Sequence, residues 1–360
     1  MGNGITETTS FNTRLQPWQI SAGSLLTLTY GYGTTANNGN VLSVATSRGG
    51  SMWTQTYAYT EPGGGSVNRL TAAWETGPGS PTWYETYGYD AFGNRWLSGY
   101  SGLWGGAVTN ETPLSASWYN TATNRISNGG TWGYDNSGNI TAVGGTSRSF
   151  QYDAENRQTQ AVVNGVTENY FYDGESRRVA KANGTGTTSY IYDADGQLAM
   201  EFPTGSPAIG TAYLTADMLG STRLITDGSG NTTECEDYLP FGQQIQAGVD
   251  GRSAVCFGVA NPLPEKMFTG KERDVNTGLD YFGARYLSDM QGRFMSSDPL
   301  LNSGHPSNPQ TWNRYSYVLN NPLRMVDPAG LYVFDKSVDP EKQKQFTDAW
   351  TAARNGLAGR

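Results

Sequence analysis

Phe268-Thr269-Gly270-Lys271-Glu272-Arg273-Asp274 opens the most informative stretch of this chain. It continues through Gly278-Leu279-Asp280-Tyr281-Phe282-Gly283-Ala284-Arg285-Tyr286 and Gly292-Arg293-Phe294-Met295-Ser296-Ser297-Asp298-Pro299. It then passes Asn313-Arg314-Tyr315-Ser316-Tyr317 and Asn320-Asn321-Pro322, and closes on Asp327-Pro328-Ala329-Gly330-Leu331. Two Asp-Pro steps, Asp298-Pro299 and Asp327-Pro328, dominate its chemistry. Proline fixes φ and stiffens the turn after each aspartate. Gly330 allows a tight bend just before Leu331. Taken alone, an Asp-Pro step is most often only a turn. Gly270-Lys271 lacks the spacing of a phosphate-binding loop.

Upstream of this stretch an aromatic-x-Tyr pair recurs: Tyr30/Tyr32, Tyr57/Tyr59, Tyr87/Tyr89, Trp132/Tyr134, Phe150/Tyr152, Tyr170/Tyr172 and Tyr190/Tyr192. Residues two apart share one face of a strand, so each pair places two rings on one side of a sheet. Asp90, Asp135, Asp153, Asp173 and Asp193 follow the second Tyr. A short turn with Gly or Asn comes next, as in Gly93-Asn94-Arg95, Gly138-Asn139-Ile140 and Asn156-Arg157. The unit is readable: Tyr ends a strand, Asp bonds back to turn amides, Gly or Asn takes the left-handed position, and a return strand follows. One hairpin cannot bury its aromatic face alone, but stacked hairpins can. The rows of rings therefore predict packing layers rather than a sugar-binding surface.

Composition agrees. The 360 residues include 47 Gly, 22 Tyr and 10 Trp, and only 16% are charged. Short strands joined by tight turns suit that mix, and the aromatic content opposes disorder. The net charge of −8 favours solubility, and no basic stripe marks a nucleic-acid surface. His305 is the single His, set in the polar loop Gly304-His305-Pro306-Ser307-Asn308-Pro309, which predicts a solvated side chain and excludes a multi-His metal site. Neither a metal nor another cofactor is expected. Cys235 and Cys256 lie outside any metal-ligand spacing. Two free thiols fit this chain better than a disulfide, because two Cys in such a length do not make a disulfide framework. No apolar run has the roughly 18 residues that span a membrane. Met1-Gly2-Asn3-Gly4 lacks the pattern of a signal peptide.

The front third is less regular, with loop insertions at Gly63-Gly64-Gly65 and Gly77-Pro78-Gly79. No low-complexity linker separates it from the later repeats, so 1–267 is expected as one repeat unit, 268–331 as a second and 332–360 as a tail. With no capping repeat at its start, which a repeat array needs, the chain is expected to be a fragment of a longer protein. In the tail, Asp339-Pro340-Glu341 is a helix start. Phe346, Ala349, Trp350 and Ala353 follow at helical spacing, and Phe346 and Trp350 are expected to pack on the inner side of the sheet.

The stretch from Phe268 to Leu331 resembles the Rhs repeat-associated core of bacterial Rhs and YD-repeat proteins. The Tyr-Asp units before it resemble the YD repeat, and Asp217–Thr226 resembles the last ordinary repeat of that family. The resemblance implies a mostly β fold: a YD-repeat hairpin spiral curled into a shell, closed by the core segment, with one short C-terminal helix. Insecticidal toxin complex C subunits are similar and, more distantly, teneurin YD shells.

In that family two such aspartates form an intramolecular aspartic protease that cuts after the Leu of Asp-Pro-x-Gly-Leu. Carried to this chain, the resemblance implies Asp298 and Asp327 as the pair and Leu331–Tyr332 as the scissile bond. The chemistry needs the pair because carboxylates about 3 Å apart share a proton. The charged one activates water and the protonated one polarises the carbonyl. Arg285 sets the aspartate ionisation or braces the loop. Gly270, Lys271, Glu272, Arg273, Asp274, Gly292, Arg293, Pro299, Pro328 and Gly330 carry the motif. A structural alternative stands beside this, in which Arg285, Arg293 and Arg314 pair with Asp280, Asp289 or Glu272 to seal the end of the repeats.

Three functions are compatible with these residues. The first is an encapsulating scaffold that houses a C-terminal toxin or peptide inside the shell and releases it by self-cleavage. Its expected partners are that cargo, upstream repeats, a secretion apparatus and an immunity protein, and its expected location is secreted or on the cell surface. The second is a cell-surface or adhesion protein built on the same repeats. The third is a structural fragment with no catalytic activity.

Overall fold

The repeat turns have a simple local chemistry in the computed structural model, which describes residues 1–60, 68–79, 82–102, 111–128, 132–193, 198–204, 210–258, 266–299, 308–331, 333–335, 341–342, 344–346 and 349. Asp90 Oδ1 accepts the Phe92 and Asn94 amides, both at 2.9 Å. Asp153 and Asp173 do the same for Glu155 and Arg157, and for Glu175 and Arg177. The second carboxylate oxygen takes the side chain four residues on: Asn94 and Asn139 with their amides, Arg157 and Arg177 with their guanidinium groups. Gly93, Gly138, Asn156 and Ser176 occupy the left-handed position. Arg157 and Arg177 thus fold back on the turn.

The second Tyr of most pairs has its own reason. Its hydroxyl donates to a backbone carbonyl: Tyr32 to Pro17, Tyr59 to Val41, Tyr172 to Gln158 and Tyr192 to Arg178. A Phe there would bury the ring but leave that carbonyl without this partner.

The strands form antiparallel meanders. Eight strands from Glu7–Phe11 to Arg95–Ser101 make the first sheet, in sequence order. Eight more, from Gly133–Tyr134 to Leu198–Pro203, make the second. A three-stranded sheet holds Tyr213–Ala216, Thr222–Thr226 and Thr232–Cys235. The front third is irregular in sequence yet regular in pairing. Tyr57 faces Ala73 in a ladder that runs from the Thr54–Thr76 pair to the Ala58–Ala72 pair with no register shift.

Four short strands follow, Glu272–Asp274, Leu279–Tyr281, Tyr286–Ser288 and Arg293–Phe294, and form a fourth sheet. This terminal segment is where the large sheets meet. Phe268, Phe282, Leu287, Phe294, Tyr317 and Val318 share one core with Tyr30, Tyr57, Leu70 and Trp83 of the first-sheet region. Leu279, Tyr286 and Met295 share another with Ile140, Phe150 and Tyr170 of the second-sheet region. A segment of about sixty residues therefore supplies both faces of the interior.

One expectation is corrected. Cys235 and Cys256 are joined in a disulfide, with Cα atoms 5.1 Å apart. Cys235 lies on the third sheet and Cys256 on the one-turn helix Ala254–Phe257. Counting cysteines misled because the pairing depends on proximity: the helix packs directly on that strand and seats Phe257 against Trp53.

In the tail, residues 341–342, 344–346 and 349 are helical. Phe346 meets the Phe334 ring with centroids 5.6 Å apart and is otherwise half exposed. Asp339, Pro340, Trp350 and Ala353 lie outside the described residues.

Candidate functional site

The terminal segment is anchored by its own charged motif. Glu272 accepts from Arg178, from Lys181 at 3.0 Å and from Tyr190 at 2.7 Å. Burial pushes its carboxyl up, but Arg178 and Lys181 outweigh burial and hold it down at about 2. Arg273 forks onto Asp280 at 2.9 and 2.7 Å and also reaches Asp289 at 3.1 Å. Asp274 accepts the Tyr170 hydroxyl. The carboxylates of Asp280, Asp289 and Glu272 are thus taken by Arg273, Arg178 and Lys181. The alternative that gave them to Arg285, Arg293 and Arg314 does not describe this arrangement. Arg293 instead stacks on Tyr315 at 4.4 Å and donates to the Asn124 carbonyl.

Amide side chains from the same segment hold the repeat turns, a role the sequence reading missed. Asn313 donates to Asn94, Asn320 to the Gly93 carbonyl, Asn321 to Asn40, and the Tyr315 hydroxyl to the Gly138 carbonyl. A signal was present in the sequence. Four polar side chains that can donate, three of them amides, fall within nine positions, opposite turns whose carbonyls need donors.

Arg285 is the centre of the predicted cleavage site. It is buried at 5% exposure, and its guanidinium lies over the Phe294 ring at 3.7 Å. Its Nε donates to the Gly330 carbonyl, Nη1 to the Arg314 carbonyl at 3.1 Å, and Nη2 lies 3.4 Å from Asp327 Oδ2. The Arg314 carbonyl also accepts the Asp298 amide at 2.8 Å, and the Arg314 side chain returns a bond to the Asp298 carbonyl. Burial lowers the Arg285 pKa, and the charges of Asp298 and Asp327 oppose that shift. Both predicted aspartates therefore lie within electrostatic reach of one guanidinium.

Asp327 is 2% exposed. Its Oδ1 accepts the Leu331 amide at 3.0 Å and the Ala329 amide at 3.3 Å. Burial pushes its carboxyl up, while Arg285, the Leu331 amide and Lys271 pull it down. The loop backbone is held residue by residue. Lys271 Nζ donates to the Pro328 carbonyl at 2.6 Å, the Ala284 amide to the Ala329 carbonyl at 3.0 Å, and Arg285 to the Gly330 carbonyl. Gly330 sits at φ +70, and a Cβ there would lie 3.1 Å from the Arg285 nitrogen and 3.2 Å from Phe282. Leu331 is 5% exposed. Gly270 and Gly292 also take positive φ, and a Cβ on Gly292 would strike the Arg95 guanidinium. Pro299 is exposed, Pro328 is half-buried in the loop, and Tyr332 and His305 lie outside the described residues.

Among the described residues, no cluster of three or more His, Cys, Asp or Glu is placed to hold a metal, and no helix is long and apolar enough to cross a membrane. One cavity between Tyr57, Arg223 and Tyr238 has about 40 Å³, and one beside Arg95 and Phe241 about 10 Å³. Such volumes suit water, not a polypeptide.

Comparison with known proteins agrees with this fold. The family model for the teneurin YD-shell matches residues 121–323. The toxin subunit YenC2 of Yersinia entomophaga is 33% identical over 115 residues, covering 32% of this chain and 10% of its own length. Toxin protein Tse5 of Pseudomonas aeruginosa is 30% identical over 133 residues, covering 35% of this chain and 9% of its own. The crystal structure of TcdB2-TccC3-Cdc42 matches in fold over 91% of this chain and 19% of that one, at a TM-score of 0.57 and 18% identity. The chain spans about a tenth of the length of the toxin relatives it matches.

Proposed function

Because this chain belongs to the teneurin YD-shell family, a β-shell scaffold, we propose that it forms the closing end of an encapsulating shell whose terminal segment cuts itself once, after Leu331. The observation that carries the reading is Arg285. One buried guanidinium is bonded to the Gly330 carbonyl, ion-paired with Asp327 and within the field of Asp298.

In this reading residues 1–267 are the repeat wall, 268–331 the seal and its protease, and 332–360 the start of the released piece. One aspartate takes a proton from the attacking water. The other carboxyl donates to the Leu331 carbonyl oxygen, and the Tyr332 amine leaves with a proton. Arg285 steadies the anionic member of the pair, and its hold on Gly330 keeps the scissile peptide from swinging away. A toxin or peptide would then occupy space walled by further repeats, with an immunity protein and an export apparatus as outside partners, and the whole would act outside the cell that makes it.

A purely structural seal is the second reading. It is favoured by the way Asp327 spends one oxygen on the turn amides of Ala329 and Leu331. Intact mass separates the two. Self-cleavage gives a fragment ending at Leu331 and its complement, and Asp298→Asn and Asp327→Asn each leave the chain whole. A wild-type chain that stays whole after prolonged incubation between about pH 5 and 7, the range where a carboxyl pair of this kind shares its proton, leaves the seal alone.

A further inference from the structure

Lys271 comes from a different segment than the other loop donors. The carbonyls of Pro328, Ala329 and Gly330 are consecutive, and each accepts one bond from the folded core. Ala284 and Arg285 serve the last two. Lys271 serves the first at 2.6 Å, and it sits directly before the strand Glu272–Asp274. That strand is pinned to the second sheet through Glu272 and Asp274. The Lys271 ammonium also lies 5.5 Å from the Phe282 ring centre, and Phe282 packs against Phe294 beneath Arg285.

We propose that Lys271 is the positioning residue of the cleavage loop: its ammonium ties the Pro328 carbonyl and the Asp327 charge to the strand that docks the seal on the second sheet. The proposal rests on the self-cleavage reading for its rate consequence, but the loop-ordering it asserts is measurable without cleavage. Two cations, Lys271 and Arg285, then act on Asp327, and removing Lys271 weakens the compensation of a buried carboxylate. The charged groups facing Lys271 are Asp327 and Lys266; burial lowers its ammonium to about 8, Asp327 opposing and Lys266 adding to the shift. The tie is therefore present at neutral pH and fades as the ammonium loses its proton.

The test uses the full chain with Lys271→Met, which keeps the bulk and removes the charge, and Lys271→Arg, which keeps both charge and donor. Cleavage is followed after cell-free synthesis by mass spectrometry. The Met variant is expected to cut at least about tenfold more slowly, and the Arg variant to recover to within about threefold of wild type. Hydrogen exchange of the Ala329 and Leu331 amides is read in an Asp298→Asn background, where the chain stays whole. Lys271→Met should speed it about tenfold and Lys271→Arg should not. Unchanged exchange in the Met variant overturns the proposal whatever the wild type does. Wild-type cleavage that Lys271→Met leaves at full rate overturns it as well. A wild type that never cuts removes the self-cleavage reading, and the exchange result then decides the role of Lys271.

Discussion

Arg285 holds Asp327 and the loop that Asp327 itself folds. Its Nη2 lies 3.4 Å from the Asp327 carboxylate, while its Nε bonds to Gly330, three residues further on. The carboxylate in turn accepts the Leu331 amide at 3.0 Å. One guanidinium and one carboxylate thus close a ring around Pro328, Ala329 and Gly330. A change at either end of that ring is felt at the same peptide.

Gly330→Ala tests the ring from inside. The residue sits at φ +70, where an L side chain is strained by about 1–2 kcal/mol. The added Cβ also presses on the Arg285 nitrogen and on Phe282. The variant should lose about 2 kcal/mol of stability and should not cut. Denaturant unfolding and intact mass measure both. An Ala variant that is as stable as wild type would mean the loop relaxes to another backbone.

Acid should loosen the seal through Glu272. Its carboxyl is held at about 2 in the folded chain, below its ordinary value of 4.5. A lowered pKa gives stability that is present above the unfolded value and is lost as pH falls towards the folded one. Wild type should therefore exceed Glu272→Gln in stability at pH 6, with the gap closing between about pH 4.5 and 2.5. Urea unfolding of both proteins across that range checks the sign. A gap that widens in acid would contradict it.

Arg178→Met addresses the same contact from the other partner. Arg178 is 1% exposed and is bonded to Glu272 and to the Tyr286 hydroxyl. Its removal leaves Glu272 buried with Lys181 as its remaining cation. Breaking a buried pair in this way costs about 3–5 kcal/mol. The double variant with Glu272→Met removes the carboxylate as well, and any recovery reads how much of the loss came from that charge, with Lys181 still buried beside it. A denaturation midpoint for each of the three proteins supplies the comparison.

Reduction of Cys235–Cys256 should cost about 3 kcal/mol, from the loop closed by a separation of 21 residues. The short helix Ala254–Phe257 should be the first part to loosen. It holds Phe257 beneath Arg48 and Arg252, which converge with Arg223 on Asp237. Unfolding with and without reductant, beside Cys256→Ala, gives the value. A Cys256→Ala variant that unfolds at the wild-type midpoint would make the bond incidental.

Local chemistry was legible in the sequence and distant pairing was not. Tyr170 and Tyr172 announced a shared sheet face because their relation spans two residues, and Asp173 announced its turn because its partners lie within four. The loop of Asp327 was legible for the same reason. Nothing local says that Tyr170 will meet Asp274, or Asn313 meet Asn94. The expectation of two free thiols failed on the same ground, since closing the disulfide depends on how residues 236–255 pack. Lys271 was quoted as part of a motif, yet its partner Pro328 lies 57 positions away. The two cores that join each large sheet to the terminal segment are likewise a property of assembly rather than of pattern.

The contacts of the seal set an order of events as the chain folds. Each large sheet is built from neighbouring hairpins, which form quickly because little chain must be closed. The seal joins partners 94 positions apart at Arg178 and Glu272, and 281 apart at Asn40 and Asn321. Those bonds wait until residues 272 and 321 have been made. During synthesis the two walls would stand with the space between them open, and anything made later could still enter or leave. Pulse-labelled exchange should find hairpin amides such as Tyr170 protected before Leu287 and Phe294 of the fourth sheet. Closure is then the last step of folding and the natural moment to commit the chain.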